Sequence, residues 1–310
     1  MTRLLRRYLG LIVSLLVPLP AFAGEPARPI ELSVDATAAP RKLLHARLVI
    51  PAAPGPLTLY YPKWIPGEHA PTGPITELSG VKFRAGGKAV SWRRDDVDLY
   101  AFHCTVPEGA DALEVTLDYL APANKDAFTS GISATERLLI LNWNQVVLYP
   151  KGRPVREQQV RASLTLPRDW KLGTPMAIEE AKGATTRFKD VSLETLVDSP
   201  VLCGAHLKEV PLGPKEGPPH FLVLACDSAS GLELAPELKA QYQRLVAEAG
   251  ALFGARHYHS YRFLVTLSDA FRPDGIEHHE CSDNRLPERF FLLREAVFHE
   301  PLSLSSRAAR

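Results

Sequence analysis

Alternation of apolar and polar positions governs the chain from Pro29 to about Pro211. Residues 30–35, 44–50, 57–61 and 99–106 each switch face at every step. The cleanest cases are Leu113-Glu114-Val115-Thr116-Leu117-Asp118-Tyr119 and Val160-Arg161-Ala162-Ser163-Leu164-Thr165-Leu166. A period of two is the signature of a strand with one buried face. Pro54-Gly55-Pro56, Pro66-Gly67 and Gly86-Gly87 punctuate these runs, as turn formers do. No helical period of any length appears in this half. Many short strands with frequent turns predict a mainly β N-terminal domain, an antiparallel sandwich or curved sheet.

After Pro211 the pattern changes. Leu212-Gly213-Pro214-Lys215-Glu216-Gly217-Pro218-Pro219 has the composition of a linker. The unbroken apolar run 221–225 predicts a buried strand. Leu238, Tyr242, Leu245, Val246, Ala249, Leu252 and Phe253 then recur at helical spacing. Pro236 stands near the start of that helix and Gly254 near its end, where each is favoured. Residues 261–267 form a further strand. The second half therefore reads as α+β, and no internal repeat is visible.

The first 23 residues stand apart. Arg3, Arg6 and Arg7 precede an apolar stretch from Leu9 to Leu19, and Ala21-Phe22-Ala23 offers a small-x-small cleavage site before Gly24. This is the form of a secretory signal. A membrane anchor is the other reading, but the stretch is shorter than the roughly 20 residues a span needs, and Pro18 and Pro20 interrupt it. The expected organisation is a leader over 1–23, a β domain over 24–214, an α+β segment over 215–289, and an aberrant or disordered tail over 290–310. Localisation is expected to be secreted, in a bacterial periplasm.

Losing the leader removes three arginines and no acid, so the formal charge falls from +1 to −2. A near-neutral chain without a basic run is a poor nucleic-acid binder, because that binding rests on phosphate neutralisation. No other apolar run is long enough to cross a bilayer. Cys104, Cys203, Cys226 and Cys281 have irregular spacing. One disulfide and buried free thiols are both compatible with it.

Chemistry-bearing side chains concentrate in one place: Gly275-Ile276-Glu277-His278-His279-Glu280-Cys281-Ser282-Asp283. If this run is extended, Glu277, His279, Cys281 and Asp283 share one face and His278, Glu280 and Ser282 the other. Gly275 lets another backbone approach. Such an edge strand pairs with extended peptides, and a carboxylate at its end holds a peptide ammonium group. A polar surface loop with incidental histidines is the bland alternative. His279-Glu280-Cys281-Ser282-Asp283 imitates a His-Glu-x-x-His zinc motif, yet its fifth residue is Asp and no helical period surrounds it. His299-Glu300-Pro301 fails more plainly, since no second His follows. No metal ligand is assigned. Elsewhere, Pro66-Gly67 fits the centre of a type II turn with Trp64 packed beneath it. Leu196-Val197-Asp198-Ser199-Pro200-Val201 reads as a strand leaving into a turn. His257 and His259 read as surface residues.

Taken in order, Trp64-Ile65-Pro66-Gly67, Leu196-Val197-Asp198-Ser199-Pro200-Val201, Leu252-Phe253-Gly254, Tyr261-Arg262-Phe263-Leu264 and Gly275-Ile276-Glu277-His278 resemble the glycyl aminopeptidase family of zinc metallopeptidases, metallopeptidase family sixty-one. The resemblance runs from about Pro29 to about Arg289. It implies an N-terminal β domain followed by the incomplete start of a thermolysin-like (gluzincin) domain. By analogy with related aminopeptidases it implies a substrate-binding strand, with Glu277 as the amino-group anchor, Gly275 and Ile276 offering backbone pairing, and His278 matching the motif without an assigned role.

The family's His-Glu-x-x-His helix and its later glutamate have no counterpart between Phe290 and Arg310. The expectation is a truncated or frame-shifted member without peptidase activity and with no cofactor of its own, zinc belonging to complete members. A periplasmic peptide-binding β module is a second reading. A metallopeptidase with an unusual site around Glu277–Cys281 is a third. Peptide N-termini are the expected partners, and the oligomeric state is open. An incomplete second domain would leave its sheet partly uncovered and its chain weakly anchored after about Leu286.

Overall fold

The computed structural model describes residues 28–123, 133–214 and 216–293. The leader, His299-Glu300-Pro301 and most of the expected tail lie outside these residues.

The alternating runs become strands with alternating burial. Ile30–Asp35 buries Ile30, Leu32 and Val34 and exposes the residues between, and Ala112–Leu120 behaves likewise. They belong to a nine-stranded sheet whose order is Ile178–Lys182, Thr185–Phe188, Gln159–Thr165, Ile30–Asp35, Leu43–Pro51, Ala112–Leu120, Leu78–Ala85 and Lys88–Val90, with Val191–Ser192 added beside Gln159–Thr165. Within it only Ile30–Asp35 and Gln159–Thr165 pair in parallel. A four-stranded sheet (Tyr149–Pro150, Gly55–Tyr60, Ala101–Val106, Trp92–Arg94) and a three-stranded sheet (Lys171–Gly173, Val201–Gly204, Leu138–Leu141) complete this part. Leu32, Leu48, Leu59, Phe102, Val115, Leu139 and Trp143 share one core. The expected β architecture is present, as a layered, mostly antiparallel arrangement.

The remaining described residues form a five-stranded sheet ordered Leu207–Gly213, His220–Cys226, Tyr261–Leu267, Cys281–Leu286 and Asp274–Glu277. Its first strand begins before the stretch read as a linker. Leu212 and Gly213 of that stretch end the strand, which pairs antiparallel with His220–Cys226. The two elements of the apolar run and the next strand pair in parallel, joined by the helix Pro236–Phe253. Pro occupies its first turn, and Gly254 ends it at φ 67°, a conformation that costs glycine least.

One face of this sheet packs Leu222, Leu224 and Val265 against Leu238 and Val246 of the helix. Beyond them Leu245, Leu252 and Phe253 of the same helix are exposed. The other face packs Val223, Ala225, Leu264 and Cys281 on Leu138, Ile140 and Leu202 of the three-stranded sheet. Gly173 permits that contact, since a Cβ there would lie 2.5 Å from Val223 Cγ1. Phe291 corrects the expected boundary of the tail. It is buried with the helix and sheet, so the chain is anchored past Leu286, at least to this ring. All four cysteines are free and buried. Among the described residues no helix is long and apolar enough to cross a membrane.

Candidate functional site

The 275–283 run is not one strand. Asp274–Glu277 and Cys281–Leu286 pair antiparallel, and His278, His279 and Glu280 make the bend between them. Glu277 lies opposite Ser282 and Ile276 opposite Asp283. Glu277 and Asp283 therefore sit on opposite faces, which corrects the single-strand reading of their alignment. Nothing in His-His-Glu marks a turn, yet the bend lets Cys281, Asp283 and Arg285 bury together.

Asp274–Glu277 is the edge of its sheet. The His278 N–H donates to the Cys281 carbonyl, which sets the ladder's alternation. It turns the main chain of Ile276 toward the neighbouring strand and that of Gly275 and Glu277 outward. The Gly275 N–H meets its neighbour Asp274 Oδ1 at 2.9 Å. The Glu277 side chain is exposed and has no hydrogen-bond or ion-pair partner among the described residues.

Two of the distinctive upstream strings meet this strand. Gly67, at φ +75°, lies so close that a Cβ on it would be 2.2 Å from Ile276 Cγ2. The Glu68 N–H donates to the Ile65 carbonyl at 3.3 Å, closing the predicted turn. Trp64 does not pack beneath it: the ring is 64% exposed. Asp198 is the second contact. It follows the short helix Leu193–Val197, capped by the Ser192 side chain, where a strand exit was expected. The next residue's carbonyl, of Ser199, accepts from Nε1 of the buried Trp143 at 2.9 Å, which pins this turn to the β core.

Asp198 clasps the bend. Its Oδ1 is 3.0 Å from His278 Nδ1. Its Oδ2 accepts from the His279 N–H at 2.9 Å and lies 2.6 Å from His279 Nδ1. A carboxylate only accepts, so both Nδ1 atoms carry protons. The His278 ring is buried, and its Nε2 has no partner; the His279 ring is exposed. Burial pushes the Asp198 carboxyl up, but the hydrogen bonds from His278 and His279 and their charge hold it below its ordinary value. Burial raises the Cys281 thiol, so it keeps its proton.

This chemistry does not suit zinc. A catalytic zinc takes three protein ligands. Here the Nδ1 protons held on Asp198 leave only the two Nε2 atoms as imidazole donors, and the Cys281 thiol is buried and protonated. Among the described residues no three His, Cys, Asp or Glu side chains converge to hold a metal ion. The bend also borders a cleft of about 720 Å³ whose lining includes Asp198, His279, Glu280, His259 and Arg262. There Glu280 Oε1 accepts from the His259 N–H at 3.1 Å. Sequence reasoning did not assign Asp198 this role. The only available signal was that its string recurs alongside the other two in the same resemblance.

Residues 31–205 match the family model described as the Peptidase M61 N-terminal domain. In structure the chain is similar to an aminopeptidase N family protein from Idiomarina loihiensis, with a TM-score of 0.68 at 17% identity, over 84% of this chain and 43% of that one. It is also similar to an M1 zinc metallopeptidase from Deinococcus radiodurans, with a TM-score of 0.49 at 11% identity, over 84% of this chain and 60% of that one. The chain thus spans less than half the length of the Idiomarina protein, and this likeness concerns the fold. No curated protein matches in sequence.

Proposed function

The chain belongs to the M61 peptidase family through that family's N-terminal domain, and from this premise we propose that it docks the N-terminal end of peptides along Asp274–Glu277. One observation carries the reading: an exposed, unpaired Glu277 carboxylate stands beside outward-facing main chain at the edge of a sheet. An extended peptide adds there as a further strand. Its ammonium group makes a charge-assisted hydrogen bond with Glu277. Gly275 keeps the approach open, since the atom nearest to a Cβ at that position would be Asn284 Oδ1 at 3.9 Å.

The described residues hold and orient; no bond-breaking step is assigned to them. The clasp of Asp198 on His278 and His279 fixes the end of the strand, so Glu277 is presented on a rigid element. A metallopeptidase site around Glu277–Cys281 is disfavoured, because no three His, Cys, Asp or Glu side chains converge there among the described residues and the Cys281 thiol is buried with its proton. The arginine-led apolar N-terminus supports export to the periplasm, and N-terminal sequencing of the protein from the producing cell should begin at Gly24.

Calorimetry with triglycine, N-acetyl-triglycine and the Glu277→Gln variant tests the docking. The free-amine peptide should bind the full chain at least tenfold more tightly than the acetylated one, and Glu277→Gln should erase the difference. No heat with triglycine at millimolar concentration would end this reading.

A further inference from the structure

A second feature lies one turn away from the docking strand. Trp64, Pro66, Tyr149, Val155 and Val197 line an apolar pocket of about 260 Å³. That is smaller than the cavities which take drug-sized ligands or cofactors, of roughly 300–1,000 Å³, and suits one large side chain. Its exposed wall is rigidly mounted. Tyr61, three residues before Trp64, is fully buried and donates to the Gln145 carbonyl at 3.0 Å. Gly67, three residues after it, is wedged against Ile276. An aromatic ring held out to solvent on a fixed backbone is the type of residue that anchors a partner.

Glu194 is the one charged residue lining this pocket, and it also lines the larger cleft beside Asp198. Its carboxylate is exposed and has no partner among the described residues. No cation lines the pocket. The complement is therefore an apolar side chain with a positive charge next to it.

We propose that this pocket is a side-chain subsite, taking an aromatic or large aliphatic residue of a peptide whose neighbouring residue is Lys or Arg. The inference rests on reading Asp274–Glu277 as a peptide ledge. The ledge and the pocket are joined by the Pro66-Gly67 turn, which lines one and touches the other.

Calorimetry with a series of peptides tests it: one to four glycines followed by Phe-Lys-amide, Ala-Lys-amide or Phe-Gln-amide. At the best spacing the Phe-Lys peptide should bind about tenfold or more tightly than Ala-Lys, from burial of one aromatic side chain. Trp64→Ala should erase that preference while leaving Ala-Lys affinity unchanged. The substituted ring is exposed, so circular dichroism should match the parent chain. Glu194→Gln should remove a severalfold preference for Phe-Lys over Phe-Gln. Equal affinity for Phe-Lys and Ala-Lys at all four spacings, or a Phe preference that survives Trp64→Ala, overturns the subsite. A dimer in sedimentation that Trp64→Ala dissociates also overturns it, because the occupant is then a second copy. The two readings separate through Glu277→Gln. If that variant loses free-amine peptides while Trp64→Ala changes nothing, the ledge stands and the subsite falls. If the Phe preference persists in Glu277→Gln and still depends on Trp64, the subsite stands and the ledge falls. No heat from any peptide overturns both.

Discussion

The carboxylate of Asp198 lies 3.0 Å from the ring of His278, 80 positions further along the chain. It joins the end of the β core to the bend of the last hairpin. Both partners are nearly excluded from water, so breaking the contact leaves a buried polar group uncompensated. Asp198→Ala should lower stability by about 2–4 kcal/mol, read as a shift of the urea midpoint. Asp198→Asn should cost less, because it still accepts hydrogen bonds. An alanine variant as stable as the parent would contradict the clasp.

The same contact predicts a pH effect. Burial acts to raise the Asp198 carboxyl, and the hydrogen bonds and charge of the histidines outweigh it, so the folded value is below the ordinary one. A carboxylate held lower in the folded chain than its unfolded value near 3.9 gives its full stabilisation above about pH 4 to 5. That contribution is lost as pH falls through the folded value. The stability gap between Asp198→Asn and the parent should therefore be full and constant above about pH 4 to 5 and should close as pH falls below it. A constant gap across the range would place the effect elsewhere.

Gly67 and Ile276 form a tight contact that a double-mutant cycle will read. Gly67→Ala adds a methyl group where Ile276 Cγ2 stands at 2.2 Å and forces alanine to φ +75°. The expected cost is about 2–3 kcal/mol. Ile276→Ala opens the space but removes buried surface, costing about 2–4 kcal/mol. Together they should cost less than their sum by at least ~1 kcal/mol, since the overlap is gone and only the dihedral strain remains. Strict additivity would show that the turn does not press on the strand.

Phe291 marks how far the chain is anchored. Its ring is buried near Tyr242, with ring centroids 6.5 Å apart. Phe291→Ala should lower stability by about 3–5 kcal/mol, seen as earlier loss of helix signal in a thermal melt. An unchanged melt would restore the expectation of weak anchoring after Leu286.

The thiols give an independent check on packing. Cys203 and Cys281 have no exposure, and burial raises both. The reactive species is the thiolate. Iodoacetamide at pH 8 should leave these two unmodified in the folded chain for minutes and modify all four after denaturation, by mass spectrometry. Rapid labelling of Cys281 in the folded chain would mean that the hairpin opens.

The chain's own periodicity determined its local structure. Two-residue alternation marked the strands from Ile30–Asp35 to Gln159–Thr165, because each has one face in a core and one toward water. The helix Pro236–Phe253 was legible from its apolar spacing and its terminal Pro and Gly, since capping is a short-range matter. The residues around Gly275 suggested an edge strand, and the resemblance singled out Glu277 on it.

Tertiary contact decided the rest. A five-residue helix at Leu193–Val197 is too short to show a period, so Asp198 was read as part of a strand exit. The bend at His278–Glu280 carries no turn residues; it is held by Asp198, 80 positions earlier in the chain. Trp64 is the type of residue a core takes, yet it stands exposed three residues before the Gly67 turn that meets Ile276. Such pairings join residues up to about two hundred positions apart. No local pattern encodes them, because their energy exists only once the two sheets have met.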